Sequence, residues 1–207
     1  MEQASPTRTE LLARRAQIRL ARQGADLLKG KREALVREFL GELKRFQIER
    51  EAMRRSIAEA IQALMRALAV DGPEAVRSVG LASRRPLEIE TTERNIWGTR
   101  VVDVTRGFGP RPAGGHRVTA LGASARIEDT TEQFEKVLET VIRVAPLDRK
   151  MQRLADEIRR TTRRVNALEQ RLLPGLQEQV SYIRGVLDQR EREDIFRLKR
   201  LKKKRSG

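Results

Sequence analysis

The sequence predicts a mainly α protein: a long antiparallel two-helix coiled coil, built from the N- and C-terminal segments, with a small α/β (β-hairpin) head in the middle. Three observations carry that prediction. Apolar residues recur at alternating spacings of three and four along both flanks, the period of a coiled-coil seam. Glycine and proline gather between the flanks: residues 70–126 hold eight of the 14 Gly and four of the seven Pro, and these residues punctuate helices. Charged residues make up 35% of the chain and hydrophobic ones 39%, a balance suited to elongated, solvent-bathed helices rather than a globule with one deep core. The expected division is 7–69 for the N-terminal helix, 70–126 for the head, 127–203 for the C-terminal helix and 204–207 for a tail.

The first flank opens on two alternative starts. Either Ser5 caps the helix with Pro6 at its first position, or Thr7 caps it with Glu10 closing a capping box. The seam then runs through Leu11, Ile18, Ala21, Ala25, Leu28, Leu35 and Phe39, and resumes at Leu43, Phe46, Met53, Ile57, Ile61, Leu64 and Leu68. Arg14, Arg32 and Arg50 interrupt it. Asp71-Gly72-Pro73 ends it. A helix of that extent is roughly 90 Å long.

The last flank repeats the pattern at Met151, Leu154, Ile158, Val165, Leu168, Leu172, Leu176, Val180, Ile183 and Leu187, with Leu138 and Ile142 at its start and Leu198 and Leu201 beyond. Pro146 and Pro174 lie inside it. An internal proline removes a backbone bond and crowds the preceding turn, so a kink or break is expected near each. Two long flanks joined by a compact segment form a hairpin most simply, each helix burying its stripe on the other. A parallel homodimer is the alternative, and it would leave the middle segment awkwardly placed.

Strands are expected only in the head. Leu87-Glu88-Ile89-Glu90 alternates, and Val101–Val104 and Val118–Leu121 are short β-prone runs. Phe108-Gly109-Pro110 and Ala113-Gly114-Gly115-His116 are turn chemistry. Val76–Ala82 reads as a short helix.

Composition limits the function classes. The chain has no Cys and one His, which removes thiol catalysis, Cys-zinc sites and His-cluster metal sites. No phosphate-binding glycine loop occurs, and His116 in a Gly-rich stretch supports no Ser-His-Asp set. No catalytic residue, cofactor or metal ligand is expected. No apolar run reaches the ~20 residues of a membrane span, and the N-terminus lacks the apolar stretch of a secretory signal. A soluble intracellular protein is therefore expected, with no direct membrane insertion.

The formal net charge is +15, with 44 Lys+Arg against 29 Asp+Glu. Residues 7–32 hold eight basic residues and two acids, residues 190–205 nine and three, and residues 70–130 nine and eight. In a hairpin, most of the excess would sit at one tip. Such a tip fits an acidic protein partner, nucleic acid or an ordinary solvated helix end. It carries no aromatic but Phe196, which argues against base stacking.

Two long segments carry a resemblance. SPTRTELLARRAQIRLARQGADLLKGKREAL at the start resembles the opening of the D subunit of V/A-type rotary ATPases. The C-terminal Arg164-Val165-Asn166-Ala167-Leu168-Glu169 core, Leu173-Pro174-Gly175 and Arg192-Glu193-Asp194-Ile195-Phe196-Arg197-Leu198-Lys199 are similar to that family's closing helix. The middle resembles it around Glu93-Arg94-Asn95-Ile96-Trp97-Gly98. The chain stops soon after its basic run, where some members continue with a more acidic tail. The resemblance implies a non-catalytic central rotor shaft, peripheral at the inner face of the cell membrane. Its implied partners are the A and B subunits of a catalytic hexamer, the small F subunit of the central stalk, and a C/d-type socket subunit on the membrane ring, with no nucleic acid. On that reading Arg8, Arg14, Arg15, Arg19, Arg190, Arg192, Arg197, Lys199 and Arg200 contact the hexamer. Arg84, Arg85, Trp97, Val101, Val104 and His116 face the socket. A nucleic-acid-binding coiled coil, or an adaptor of the flagellar-export stalk type, is the alternative. The shaft of F-type ATP synthases carries a larger α/β domain than 57 residues allow.

Overall fold

A computed structural model describes residues 5–82, 89–106 and 124–205. In chain order these form α1 (Arg8–Asp71), α2 (Pro73–Ala82), β1 (Glu90–Ile96), β2 (Thr99–Arg106), α3 (Ala125–Ala167), a π-helical segment (Leu168–Leu172) and α4 (Leu173–Arg205). The protein is mainly α, with long N- and C-terminal helical stretches and, among the described residues, one small antiparallel hairpin between them. It divides into two compact units, residues 1–34 with 158–207, and residues 35–157.

Helix α1 begins at Arg8, just after Thr7. The Thr7 hydroxyl accepts the Glu10 N–H at 3.2 Å and the Thr7 carbonyl accepts the Leu11 N–H at 3.0 Å, so Thr7, not Ser5, is the cap. The helix stops at Gly72, whose φ of 82° only glycine adopts without strain. Pro73 then opens α2 from the first helical position.

A heptad of buried and half-buried residues runs along α1: Leu11, Ile18, Ala25, Arg32, Phe39, Phe46, Met53, Ala60 and Ala67 at a, and Arg14, Ala21, Leu28, Leu35, Glu42, Glu49, Ser56 and Ala63 at d, with buried Ala34 and half-buried Leu43, Ile57, Leu64 and Leu68 beside it. Two expectations are corrected here. Arg50 lies off the seam and exposed, its guanidinium 5.9 Å from the Phe46 ring centre. Ile61 is also exposed, because the seam turns to the small residues Ala60, Ala63 and Ala67; Leu64 and Leu68, one position after the last two, are half-buried beside it. In α3 the same pattern runs through Val137, Thr140, Val144, Leu147, Met151, Leu154, Ile158, Thr161 and Val165. Leu138 sits beside this seam and is exposed. Helix α3 passes Pro146 without a break.

In the unit of residues 35–157, α1 and α3 run antiparallel. Glu42 pairs with Lys150, Glu49 with Arg143, and Asp71 with Arg126, while the Ser56 and Thr140 hydroxyls meet at 3.1 Å. Val79 of α2 packs with Ala67 and Ile127, flanked by Ala75 and Val76. The hairpin pairs Ile96 with Thr99 and Arg94 with Val101 in register, with an irregularity after Glu90. Of the expected strands, only Val101–Val104 lies wholly inside one, and Ile89 precedes β1. Leu87-Glu88, Phe108–Pro110, Ala113–His116 and Val118–Leu121 lie outside the described residues.

In the unit of residues 1–34 and 158–207, α1 is antiparallel to the π segment and α4, with Lys29 paired to Glu169 and Arg8 to Glu191. The fault expected near Pro174 is the π segment just before it. Leu173 N–H bonds the Leu168 carbonyl, five residues back. One residue is thereby added to the turn, and the seam moves with it: Leu176 and Ile183 are buried, while Leu172 and Tyr182 are exposed. The spacing predicts Leu172 in the seam, and the added residue is what turns it outward.

Candidate interaction surfaces

The first candidate surface belongs to the unit that holds both chain ends. It contains 23 Lys+Arg and 10 Asp+Glu, whereas the unit of residues 35–157 contains 21 and 19. The excess of positive charge therefore lies almost wholly in one unit, a field that attracts acidic surfaces over about 8 Å at physiological salt.

The residues expected there differ in availability. Arg15, Arg19, Arg197, Lys199 and Arg200 are exposed. Arg8 is exposed but engages Glu191, and Arg190 donates to the Pro6 carbonyl at 3.2 Å. Arg192 donates to the Asp188 carbonyl of its own helix at 3.3 Å. Arg14 occupies a d position and is half-buried, 2.7 Å from Glu10 and hydrogen-bonded to Gln17 at 3.1 Å. Lys29 is held protonated above the ordinary lysine range by its hydrogen bond to Glu169 and the charge of that carboxylate.

Apolar side chains share this surface. Leu12, Leu20 and Leu27 on α1, and Ile195, Phe196, Leu198 and Leu201 on α4, are all exposed. The α4 group lies beyond Glu191, which is already opposite the first residue of α1, so among the described residues no helix stands opposite it. The sequence signal for the α1 group is its phase, one or two positions off the seam.

The second candidate surface is the hairpin turn. Trp97 and Gly98 occupy its two central positions with φ of 51° and 82°, the signature of a type I′ turn. The Asn95 side-chain oxygen accepts the Gly98 N–H at 2.8 Å. Trp97 is 60% exposed, so a large aromatic is held in a conformation bulky residues avoid, without burial to stabilise it. Val101 is buried and Val104 half-buried; both brace the hairpin. Arg84, Arg85 and His116 lie outside the described residues.

The third is an apolar face of the α1–α3 pair. Ile61 and Met65 of α1 and Phe134, Leu138 and Val141 of α3 are exposed. They occupy e, b and f positions, which lie on the same side of an antiparallel pair. Sequence reading misses this face by assigning Ile61 and Leu138 to the seam.

Among the described residues, no His/Cys/Asp/Glu group has the arrangement of a metal site, and no helix is long and apolar enough to cross a membrane. Seamed helix pairs, a cationic unit and an exposed aromatic turn define a coiled-coil protein. The family model for the D subunit of ATP synthase matches residues 10–203. The chain belongs to that family. It is 44% identical to the V-type ATP synthase D subunit of Thermus thermophilus over 99% of this chain and 90% of that one. It is 38% identical to the V-type D subunit of Deinococcus radiodurans over 99% and 90%. To the A-type ATP synthase D subunit of Haloquadratum walsbyi it is 37% identical over 98% and 88%. It is thus a structural, non-catalytic subunit of the V/A-type ATP synthase class.

Proposed function

We propose that this chain is the central rotor shaft of a V/A-type ion-translocating ATPase or ATP synthase, transmitting torque between a hexamer of A and B subunits and a membrane ring. Family membership supports the complex, and the segregation of charge into the unit of the chain ends supports the polarity. That unit enters the hexamer. Arg8, Arg15, Arg19, Arg190, Arg192, Arg197, Lys199 and Arg200 make many weak contacts there, with Arg14 bracing the helix beneath them. Exposed charge contacts are individually worth about 0–1 kcal/mol, which suits a surface that must slide past three equivalent sites. The head seats in the socket subunit, with Trp97 as its aromatic anchor and Arg84, Arg85, Val101, Val104 and His116 around or beneath it. The face of Ile61, Met65, Phe134, Leu138 and Val141 receives the small F subunit of the stalk, since an exposed apolar face on a monomer marks a protein contact. The complex lies at the inner face of the membrane, and the chain itself does not insert.

Size-exclusion chromatography with light scattering, on this chain mixed with the hexamer from the same source, tests the reading. One chain per hexamer is expected, because an axial subunit binds a three-fold ring once. Three per hexamer, or no binding with salt-dependent nucleic-acid binding instead, overturns it.

A further inference from the structure

The unit of residues 35–157 holds two ion pairs one heptad apart. Glu42 and Glu49 occupy successive d positions of α1, and Lys150 and Arg143 occupy the g positions they meet on α3. The two sites are not equivalent. Lys150 Nζ donates to Glu42 Oε1 and to Glu38 Oε1, each at 2.8 Å, and the Lys150 side chain is 11% exposed. The Arg143 side chain is 58% exposed and lies 3.6 Å from Glu49.

The a and d side chains alone do not define a unique alignment. Phe39, Phe46, Met53 and Ala60 on one helix, and Val137, Val144 and Met151 on the other, repeat every seven residues. A slide of one heptad keeps apolar against apolar. In one direction it brings Glu42 against Arg143 and Glu49 against Lys136, so these acids stay paired. That slide strands Lys150 opposite Leu35, which is fully buried. The opposite slide sets Glu42 against Glu157. An ammonium group without a partner in an apolar seam is costly, and two carboxylates sharing a site repel.

We propose that Lys150, clasped by Glu38 and Glu42, is the register pin of this helix pair: together with the Asp71–Arg126 pair, which the same slide breaks, it excludes the one-heptad alignment that the apolar seam and the Glu42 and Glu49 carboxylates would accept. The idea is independent of the rotor reading. It concerns which alignment the chain adopts, not what the protein binds.

The absence of cysteine makes the test direct. Ser56→Cys with Thr140→Cys reports the native alignment, since the two hydroxyls are 3.1 Å apart. Ser56→Cys with Gln133→Cys reports the slipped one. In the full-length chain, only the first pair should cross-link under mild oxidation. Adding Lys150→Met should raise the slipped cross-link at least about tenfold, a shift of only ~1.4 kcal/mol between alignments, with helicity retained by circular dichroism. The exchange Glu42→Lys with Lys150→Glu, made together with Glu38→Gln so that the new carboxylate meets no like charge, should return cross-linking to the native pair. Native-only cross-linking in folded Lys150→Met overturns the proposal. If Lys150→Met fails to fold, the exchange variant decides: native-only cross-linking supports the pin, and failure to restore it overturns it.

Discussion

Trp97 and Gly98 hold consecutive left-handed conformations at the tip of the only hairpin among the described residues, where Asn-Gly is the favoured pair. Fold stability alone would not select tryptophan at the first position. Trp97→Asn should relieve backbone strain and raise stability by about 1 kcal/mol, while weakening binding to the socket subunit. Thermal melts beside pull-down on the membrane sector separate the two effects. Unchanged socket binding removes Trp97 from the interface.

Lys150 gives a pH signature. Burial alone pushes its ammonium down, but the hydrogen bonds to Glu38 and Glu42 outweigh it and the net shift is upward. A raised lysine contributes stability that is complete below its unfolded value, about 10.4. The contribution is lost as pH rises through the higher folded value. Urea titrations at pH 8 and pH 11 should show a larger loss of stability in the parent than in Lys150→Met, since Lys29, also raised, titrates in both. Equal losses in both would show that another group titrates.

The π segment predicts an unusual tolerance. Because it adds one residue, deleting Gln170 together with Pro174→Ala should restore a regular helix and keep Leu176 and Ile183 in the seam. The melting temperature should hold or rise, since an internal proline in a regular helix costs about 3 kcal/mol. Deleting Gln177 instead turns every later seam residue by about 100° and should lower it. Similar melts for the two deletions would mean the segment does not set the phase.

The seam separates core from contact surface. Leu154→Ala, at a fully buried position, should cost about 2–5 kcal/mol. Ile61→Ser, at a half-exposed one, should cost less than about 1 kcal/mol yet weaken binding of the small stalk partner. Urea unfolding and calorimetric binding give the two readouts.

Much of the fold is legible in the sequence because periodicity and punctuation are local signals. The 3-4 spacing marks both flanks as helical, and Asp71-Gly72-Pro73 ends α1 at the Gly72 left-handed turn. The misplacements have physical reasons. Ile61 outranks Ala60 on any hydrophobic scale, yet the seam uses alanine there, and the bulky neighbour draws the assignment. Leu172 misleads because one extra residue in a π turn changes phase without a compositional signal. The Trp97-Gly98 turn escapes notice because tryptophan is not a turn residue; Gly98 after Asn95 is the available cue. Arg8, Arg15 and Arg19 are indistinguishable as letters from half-buried Arg14. Only the seam phase, counted residue by residue, sorts them.

The π segment also affects elasticity. Leu173 gives its amide hydrogen to Leu168, and Pro174 has none to give, so the Glu169 carbonyl loses both of the donors its own helix would supply. A helix resists winding through its row of axial ties, and here one is absent. Under torsional load, this turn is the compliant element of its unit. Deformation would collect there first, beside the Lys29–Glu169 contact that stitches the turn to α1.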